Sequence, residues 1–336
     1  MVKVGINGFG RIGRLSLRTM LQKYGNDIEV VAINDLFDSK TNAHLFKYDT
    51  NYGTWKGTVE ATADAIIIDG KKIAVFSERN PADIPWDSLG VQVVVESTGI
   101  FKDAEKAKAH LGGSVKKVII SAPAKNEDAT IVMGVNQDIY DPATMNIVSN
   151  ASCTTNCLAP FAKVIQEKFG IETAFMTTVH AYTNDQKTAD QAHSDLRRAR
   201  AAGANIIPTT TGAAKAIALV IPELKGKMHG YALRVPTTTV SCVDLTVNLK
   251  KAATVEEINA ALKAASEGEM GAVLGYTDEP VVSSDFKGDS HSSIVDGLCT
   301  MMLGDKFAKI VSWYDNEWAY SERVGDLIMF MASKGL

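Results

Sequence analysis

Apolar positions along the first 150 residues fall into short β-branched runs separated by stretches with helical spacing. Val2–Ile6 reads as a strand, Arg11–Tyr24 as a helix and Ile28–Asn34 as a second strand. Val91–Glu96 and Lys117–Ser121 read as further strands, flanking a helix over Ala104–His110. Strand and helix in alternation predict a parallel sheet covered on both faces. After Ser152 the texture changes. Thr173–Thr183, Ala232–Arg234, Val240–Leu249, Leu298–Leu303 and Ala308–Tyr314 read as longer strands with few helices between them. That pattern predicts a mostly antiparallel sheet packed on helices such as Val255–Ser266. In the last segment, Asn316–Ser333, apolar residues at Tyr320, Val324, Leu327, Ile328 and Met331 repeat at helical spacing. The expected fold is therefore α/β, a Rossmann-type parallel-sheet domain over 1–151 followed by an α+β domain over 152–315. The terminal helix, 316–336, is expected to rejoin the first domain.

Composition narrows the class of protein. The 336 residues are 46% hydrophobic and 22% charged, which suits a globular chain and not a disordered one. A formal net charge of −4 offers no global attraction for nucleic acid or an acidic membrane, so any hold on phosphate must come from local arginines. No run approaches the ~18 apolar residues of a membrane span, and Arg11 and Arg14 interrupt the only apolar stretch that could begin a secretory leader. Cys153, Cys157, Cys242 and Cys299 form no CxxC pair and read as reduced thiols. A cytoplasmic protein with no metal site, no membrane and no dedicated nucleic-acid partner is expected.

Gly8-Phe9-Gly10-Arg11-Ile12-Gly13 follows the first strand and opens the first helix. The first glycine permits the tight turn, the second lets backbone amides approach a pyrophosphate, and the third lets helix and strand pack closely. The helix start adds unpaired N–H groups and a positive dipole end. Asp35 ends the second strand at the distance the dinucleotide fingerprint requires. A carboxylate there accepts both ribose hydroxyls of NAD and repels the additional phosphate of NADP. Glu96-Ser97-Thr98-Gly99 ends a later strand and is expected to line the same crevice.

The stretch Ser152-Cys153-Thr154-Thr155-Asn156-Cys157 carries the second chemical signal. Ser152 reads as an N-cap with Cys153 at the first helical position, where free amides and the helix dipole lower a thiol's pKa. Cys157 lies one turn deeper and reads as a small buried residue; Cys242 and Cys299 lie within strand patterns and read as packing residues.

The opening VKVGINGFGRIGR, the heptad ASCTTNC and the terminal WYDNEWAYS resemble the signatures of the glyceraldehyde-3-phosphate dehydrogenase family, and recognisable segments span essentially the whole chain. The resemblance implies a phosphorylating aldehyde dehydrogenase in which Cys153 is the nucleophile and His180 its base. It implies a cofactor set of Gly8, Gly10, Arg11, Ile12, Gly13, Asn34, Asp35, Thr98, Gly99, Ser121, Asn316 and Tyr320 around NAD. Thr183 and Arg234 match the residues that hold the substrate phosphate. Ser152, Thr154, Arg198, Thr211 and Gly212 match those for the attacking inorganic phosphate, a task suited to an arginine fork and hydroxyl donors. Asn316 would orient the nicotinamide carboxamide; from its position alone it reads as the N-cap of the last helix. The substrate implied is glyceraldehyde 3-phosphate, and the assembly a homotetramer.

Two places loosen the match. Residues 184–206 form a long segment without predicted structure, the family's S-shaped loop. Within it Ala192 stands where many strictly NAD-dependent relatives carry proline, which points to some NADP tolerance; Asp35 argues for NAD. Erythrose-4-phosphate dehydrogenase, with the same nucleophile and base, is the alternative enzyme. A non-catalytic binding role is disfavoured because Cys153, His180, Arg198 and Arg234 are all present.

Overall fold

A computed structural model describes residues 1–336, which divide into two compact units. The first contains Met1–Ile131, Asp138–Ala151 and Ser321–Leu336; the second contains Val132–Gln137 and Ser152–Tyr320. No helix is long and apolar enough to cross a membrane.

The first unit is built on β1 (Val2–Asn7), α1 (Arg11–Lys23), β2 (Ile28–Asn34) and α2 (Ser39–Lys47), followed by a small hairpin of β3 (Tyr48–Asp49) and β4 (Gly53–Thr54). Three further strands follow, β5 (Val59–Ala61), β6 (Ala65–Ile68) and β7 (Lys71–Phe76). Then come β8 (Val93–Glu96), α3 (Ala104–Ala107), β9 (Lys117–Ile120), β10 (Ala129–Thr130) and β11 (Ile147–Ser149). Nine of these strands form one sheet in the order β10-β11-β9-β8-β1-β2-β7-β6-β5. From β10 to β7 the pairing is parallel, and β6 and β5 extend that edge antiparallel. The central strands are buried almost throughout: β8 and β9 have no exposed position. Continuous burial is what a parallel sheet covered on both faces demands. Strand order reverses at β1, with β2 on one side and β8 on the other, so the carboxyl ends of these strands frame the crevice where doubly wound sheets bind ligands.

The predicted helix Ala104–His110 is split, α3 giving way to a tighter 3-10 turn at Lys108–His110. α2 and the β6–β7 hairpin had no sequence prediction. Their turn, Asp69-Gly70, has both residues at positive φ, the geometry that an Asp-Gly pair favours between two strands.

The second unit opens with α4 (Cys153–Lys168) and β12 (Ile171–Ala181), then β13 (Ile207–Thr210), α5 (Ala213–Val220), β14 (Met228–Val235) and β15 (Ser241–Leu249). α6 (Val255–Glu267), β16 (Leu274–Thr277), β17 (Ser293–Leu303) and β18 (Phe307–Tyr314) complete it. The seven strands run β13-β14-β12-β15-β18-β17-β16. Pairing is antiparallel except at β12–β14 and β16–β17. In β15 every second residue, from Ser241 to Leu249, is buried, and α4, α5 and α6 pack on the sheet. Such alternation marks a sheet with one face in the core. The last helix, α7 (Trp318–Ser333), starts two residues later than its apolar pattern predicts. Asp315, not Asn316, receives the first amides of this segment: its Oδ1 accepts from Glu317 and Trp318 N–H, both at 3.0 Å.

Candidate active site

In the first unit, the glycine loop leaves β1 and enters α1 with little steric room. Gly8 has φ +88°, and a Cβ there would stand 2.6 Å from the Thr98 backbone nitrogen; a Cβ on Gly13 would stand 2.1 Å from the Gly8 carbonyl oxygen. These two glycines are required by the loop's own packing. Gly10 differs: a Cβ would meet nothing within 4 Å. Its side-chain-free surface is open, and as N-cap it supplies no side-chain acceptor to α1. A helix start left uncapped beside open space is suited to a pyrophosphate. The Arg11 side chain turns away to pair with Asp49, so Arg11 and Ile12 have only their place in the first helical turn to offer a phosphate.

Asp35 is held rather than loose. Its Oδ2 accepts from Phe9 N–H at 2.8 Å and its Oδ1 from Phe37 N–H at 3.0 Å. A carboxylate has about four lone-pair sites, so roughly two remain for a pair of ribose hydroxyls. The fit to a dinucleotide is therefore good at both the phosphate and the ribose end. Asn34 behaves differently. Its buried amide donates to Asn7 Oδ1 at 2.8 Å and the Glu78 carbonyl at 2.9 Å and accepts from Glu78 N–H at 2.8 Å, so it braces the crevice from behind.

Thr98 and Gly99 stand on a turn that is tied down from two sides. Ser97 Oγ donates to the Gly8 carbonyl at 2.6 Å, linking the turn to the glycine loop. Buried Glu96 accepts from Thr98 N–H at 2.9 Å and from the Thr98 hydroxyl, while its other oxygen accepts from Asn7 at 2.6 Å and His110 Nε2 at 3.0 Å. Trp86 Nε1–H donates to His110 Nδ1 at 3.1 Å, which leaves Nε2 as the protonated nitrogen facing Glu96. Sequence reasoning singled out the Glu96 segment but not this buried support, because His110 and Trp86 join it only through tertiary packing. Ser121 lies at the end of β9, its N–H bonded to the Glu96 carbonyl at 3.0 Å.

In the second unit, Ser152 caps α4 as its sequence predicts, its hydroxyl accepting from Thr155 N–H at 3.0 Å. Cys153 takes the first helical position, and the residue before the Ser152 cap, Ala151, has φ 56°. A non-glycine residue in the left-handed region costs energy and marks a turn that the surrounding structure enforces. Cys153 Sγ lies 3.4 Å from His180 Nε2. His180 ends β12, and the parallel register of β12 with β14 sets Arg234 beside it.

The proton arrangement follows from the contacts of the ring. His180 Nδ1 lies 2.6 Å from the Ala181 carbonyl, an acceptor, and 2.9 Å from Arg234 Nη1, a donor; with its hydrogen on the closer carbonyl, Nδ1 leaves Nε2 to present its lone pair to the thiol. Arg234 Nη1 donates to the same carbonyl at 3.2 Å and stands 2.9 Å from Nδ1. Burial and the neighbouring Arg234 charge push the imidazole down to about 3. Burial likewise pushes the Cys153 thiol up, against the opposing pull of Arg234 and of Thr154 at the helix start. This corrects the expectation of a thiol pKa lowered by the helix start: the helix end acts in the predicted direction, but desolvation outweighs it. Tyr314, which the sequence did not single out, packs edge-on against the His180 ring at 5.9 Å. Its hydroxyl bridges Thr154 at 2.8 Å and Thr178 at 2.9 Å. Thr154 thus turns its hydroxyl inward and has only its backbone to offer an anion.

Arg234 retains a buried Nε with no hydrogen-bond partner. A buried donor left unpaired costs about 1–3 kcal/mol, a cost that a bound anion would relieve. Arg198 is placed differently: Nε donates to Thr209 Oγ1 at 2.8 Å, Nη1 to Asp185 at 2.6 Å and Nη2 to the Thr210 carbonyl at 3.2 Å. It is thereby tied to the strand that leads into Thr211-Gly212 and the start of α5, and its charge reaches both His180 and Arg234. Thr183, whose N–H is bonded to Gln186 at 3.3 Å, leaves the same end of β12 as His180. The segment 184–206 has no long element, yet it is stitched by an Arg200–Asp190 pair and by Gln191 N–H to the Ala199 carbonyl at 2.9 Å.

Asn316 is buried, and its Oδ1 accepts from Ser241 Oγ at 2.9 Å. Ser241 Oγ in turn accepts from Ala181 N–H at 3.0 Å and gives its hydrogen to Asn316. The amide is held by its oxygen, leaving the NH₂ as the end that can donate to a carboxamide. Tyr320 is buried in the first turn of α7.

Residues 2–104 match the family model described as glyceraldehyde 3-phosphate dehydrogenase, NAD binding domain, and residues 152–316 match its C-terminal domain. Glyceraldehyde-3-phosphate dehydrogenase 1 of Bacillus cereus is 61% identical over 336 residues, covering 100% of both chains. The glyceraldehyde-3-phosphate dehydrogenase of Geobacillus stearothermophilus is 60% identical over 335 residues, covering 100% of this chain and 99% of the other. That of Streptomyces coelicolor is 59% identical over 334 residues, 99% of each.

Proposed function

The chain belongs to the glyceraldehyde-3-phosphate dehydrogenase family, and from that premise we infer that it oxidises glyceraldehyde 3-phosphate with NAD and inorganic phosphate to 1,3-bisphosphoglycerate. The observation that carries the residue roles is the meeting of Cys153 Sγ, the Nε2 lone pair of His180 and the buried arginine of β14.

Cys153 Sγ attacks the aldehyde carbon while His180 Nε2 takes the thiol proton and returns it to the carbonyl oxygen, giving a hemithioacetal. Bound NAD supplies the hydride acceptor. As hydride leaves the carbon, His180 takes the hydroxyl proton, and the adduct becomes a thioester on Cys153. Phosphate oxygen then attacks the acyl carbon, the C–S bond breaks, and the departing sulfur recovers its proton from His180. Arg234 and Thr183 hold the substrate phosphate. Ser152, Arg198 and the Thr211-Gly212 turn, with the backbone of Thr154, receive the attacking one.

The test is NADH absorbance with glyceraldehyde 3-phosphate or erythrose 4-phosphate, each with and without inorganic phosphate. Fast, phosphate-dependent turnover of the triose is expected. Preference for the tetrose, or turnover independent of phosphate, would move the chain to the erythrose-4-phosphate enzyme.

Asp35 selects the cofactor through its charge. Asp35→Asn keeps an acceptor for one of the two loop amides and removes the repulsion of a 2′-phosphate. The ratio of kcat/KM for NADP to that for NAD is expected to rise by about tenfold or more. An unchanged ratio would remove Asp35 from the ribose site.

A homotetramer in the cytoplasm completes the reading. One face of the second unit's sheet leaves Phe175, Tyr231, Met301, Leu303 and Phe307 exposed, an apolar stretch of the kind that marks an interface. All four cysteines are free, as in a reducing compartment. Light scattering is expected to give about four chain masses, and a monomer would reject this assembly.

A further inference from the structure

Arg198 is the one arginine of the candidate phosphate set whose guanidinium is already engaged by carboxylates. Asp185 accepts from Nη1 at 2.6 Å, and Asp195 Oδ2 stands 3.6 Å from Nε. The two contacts differ in kind. Asp195 is built into the loop: Oδ1 accepts from Arg197 N–H at 2.9 Å and Oδ2 from Thr209 Oγ1 at 2.7 Å. Asp185 has no such backbone tie and leaves about half its side chain exposed. Its other oxygen faces His193 Nε2 at 3.4 Å, and His193 is itself fixed by accepting from Asp195 N–H at 2.9 Å. Burial pushes the Asp185 carboxyl up, but pairing with Arg198 outweighs it and holds the group below its ordinary value, so it is charged throughout the working range.

A guanidinium has five N–H donors. Thr209 and the Thr210 carbonyl fix the plane of Arg198 through Nε and Nη2, and those contacts suffice to orient it. The contact with Asp185 adds no orientation that these lack. It does occupy one Nη1 donor and place a full negative charge against the cation that an incoming phosphate must use.

We propose that Asp185 is a specificity-determining residue that weakens and tunes the hold on the attacking phosphate by competing with it for Arg198. The proposal rests on the reading of Arg198 as the phosphate arginine. Weak retention serves the second half-reaction: an anion held too tightly by Arg198 would be a poorer nucleophile and would slow release of the acyl phosphate. Asp185 lowers the net charge around Arg198 without removing the directional donors.

The experiment is steady-state kinetics on the full-length enzyme, with phosphate varied at saturating triose and NAD, for the parent, Asp185→Asn, Asp185→Ser and Arg198→Gln. Both Asp185 variants are expected to lower KM for phosphate about three- to tenfold, the range expected for removing one partly exposed charge near a multivalent anion. KM for triose and NAD should stay within about twofold, a split that a general structural defect would not produce. The gain should shrink as ionic strength rises. Arg198→Gln is expected to raise KM for phosphate at least about tenfold. If Arg198→Gln leaves that KM unchanged, the phosphate assignment of Arg198 fails. If Arg198→Gln raises it while both Asp185 variants leave it unchanged or raise it, Arg198 keeps its role and the competition by Asp185 is refuted.

Discussion

Cys153→Ser is expected to lower kcat for triose oxidation by at least about 10⁴-fold, the scale seen when a covalent nucleophile is removed. The reason is chemical rather than steric. Serine preserves the helix start and fills the same space, but its hydroxyl is far less acidic and a poorer leaving group than a thiol. Both halves of the reaction then fail, since an ester on serine resists phosphate where a thioester yields to it. NAD affinity should change by less than about twofold, because the glycine loop, Asp35 and the Thr98 turn belong to the first unit and depend on no group of Cys153. The measurement is single-turnover NADH formation together with NAD titration by tryptophan fluorescence. Retention of more than a tenth of the parent rate would sink the assignment. A large loss of NAD affinity would instead mean that the substitution disturbed the fold.

The second large effect is expected at His180. His180→Asn removes the only base within reach of Sγ at 3.4 Å and should reduce kcat by about 10²- to 10⁴-fold, the usual contribution of a positioned acid–base group. Because the imidazole serves both proton transfers, the burst of NADH should be lost together with steady-state turnover. A variant within threefold of the parent would show that another group takes the proton. The same variant carries a stability signature independent of catalysis. His180 is held at about 3 in the folded chain against 6.5 for the free side chain. Below about pH 6.5 the unfolded chain therefore binds a proton that the folded chain refuses. Stability falls with pH across that window, until the folded group also titrates near 3. His180→Asn abolishes this contribution, so its Tm should drop less between pH 7 and pH 4.5 than that of the parent. Equal drops would contradict a buried neutral imidazole.

Several parts of the site were legible because they depend on short-range geometry. The strand–glycine loop–helix frame, the Asp35 position and the Ser152 cap with Cys153 behind it are contiguous patterns, and their physical requirements are met within a few residues. Element edges were less secure where local pairing was contested. Asn316 reads as a helix cap from its place in the chain, yet Asp315 wins the amides because its carboxylate also ties down Gly288 N–H at 2.9 Å and Thr239 Oγ1 at 2.9 Å. The small elements α2 and β13 escaped prediction because they are short and their burial is decided by neighbours. Thr154 was legible as part of a motif but not in its orientation, which Tyr314 sets from 160 residues away.

The sequence by itself determined the two-part α/β organisation, the dinucleotide loop, the place of the candidate nucleophile Cys153 behind its Ser152 cap and, through the resemblance of whole motifs, the family. Those features are local in the chain, so residue type and spacing carry them. Tertiary structure alone decided which side chains share an environment. The register of β12 against β14 puts His180 beside Arg234, and chain folding brings Asp185 onto Arg198 across 13 residues. Burial then outweighs the lowering of the Cys153 pKa that the helix start alone predicts. Desolvation depends on everything packed around a group, and no window of sequence contains that sum.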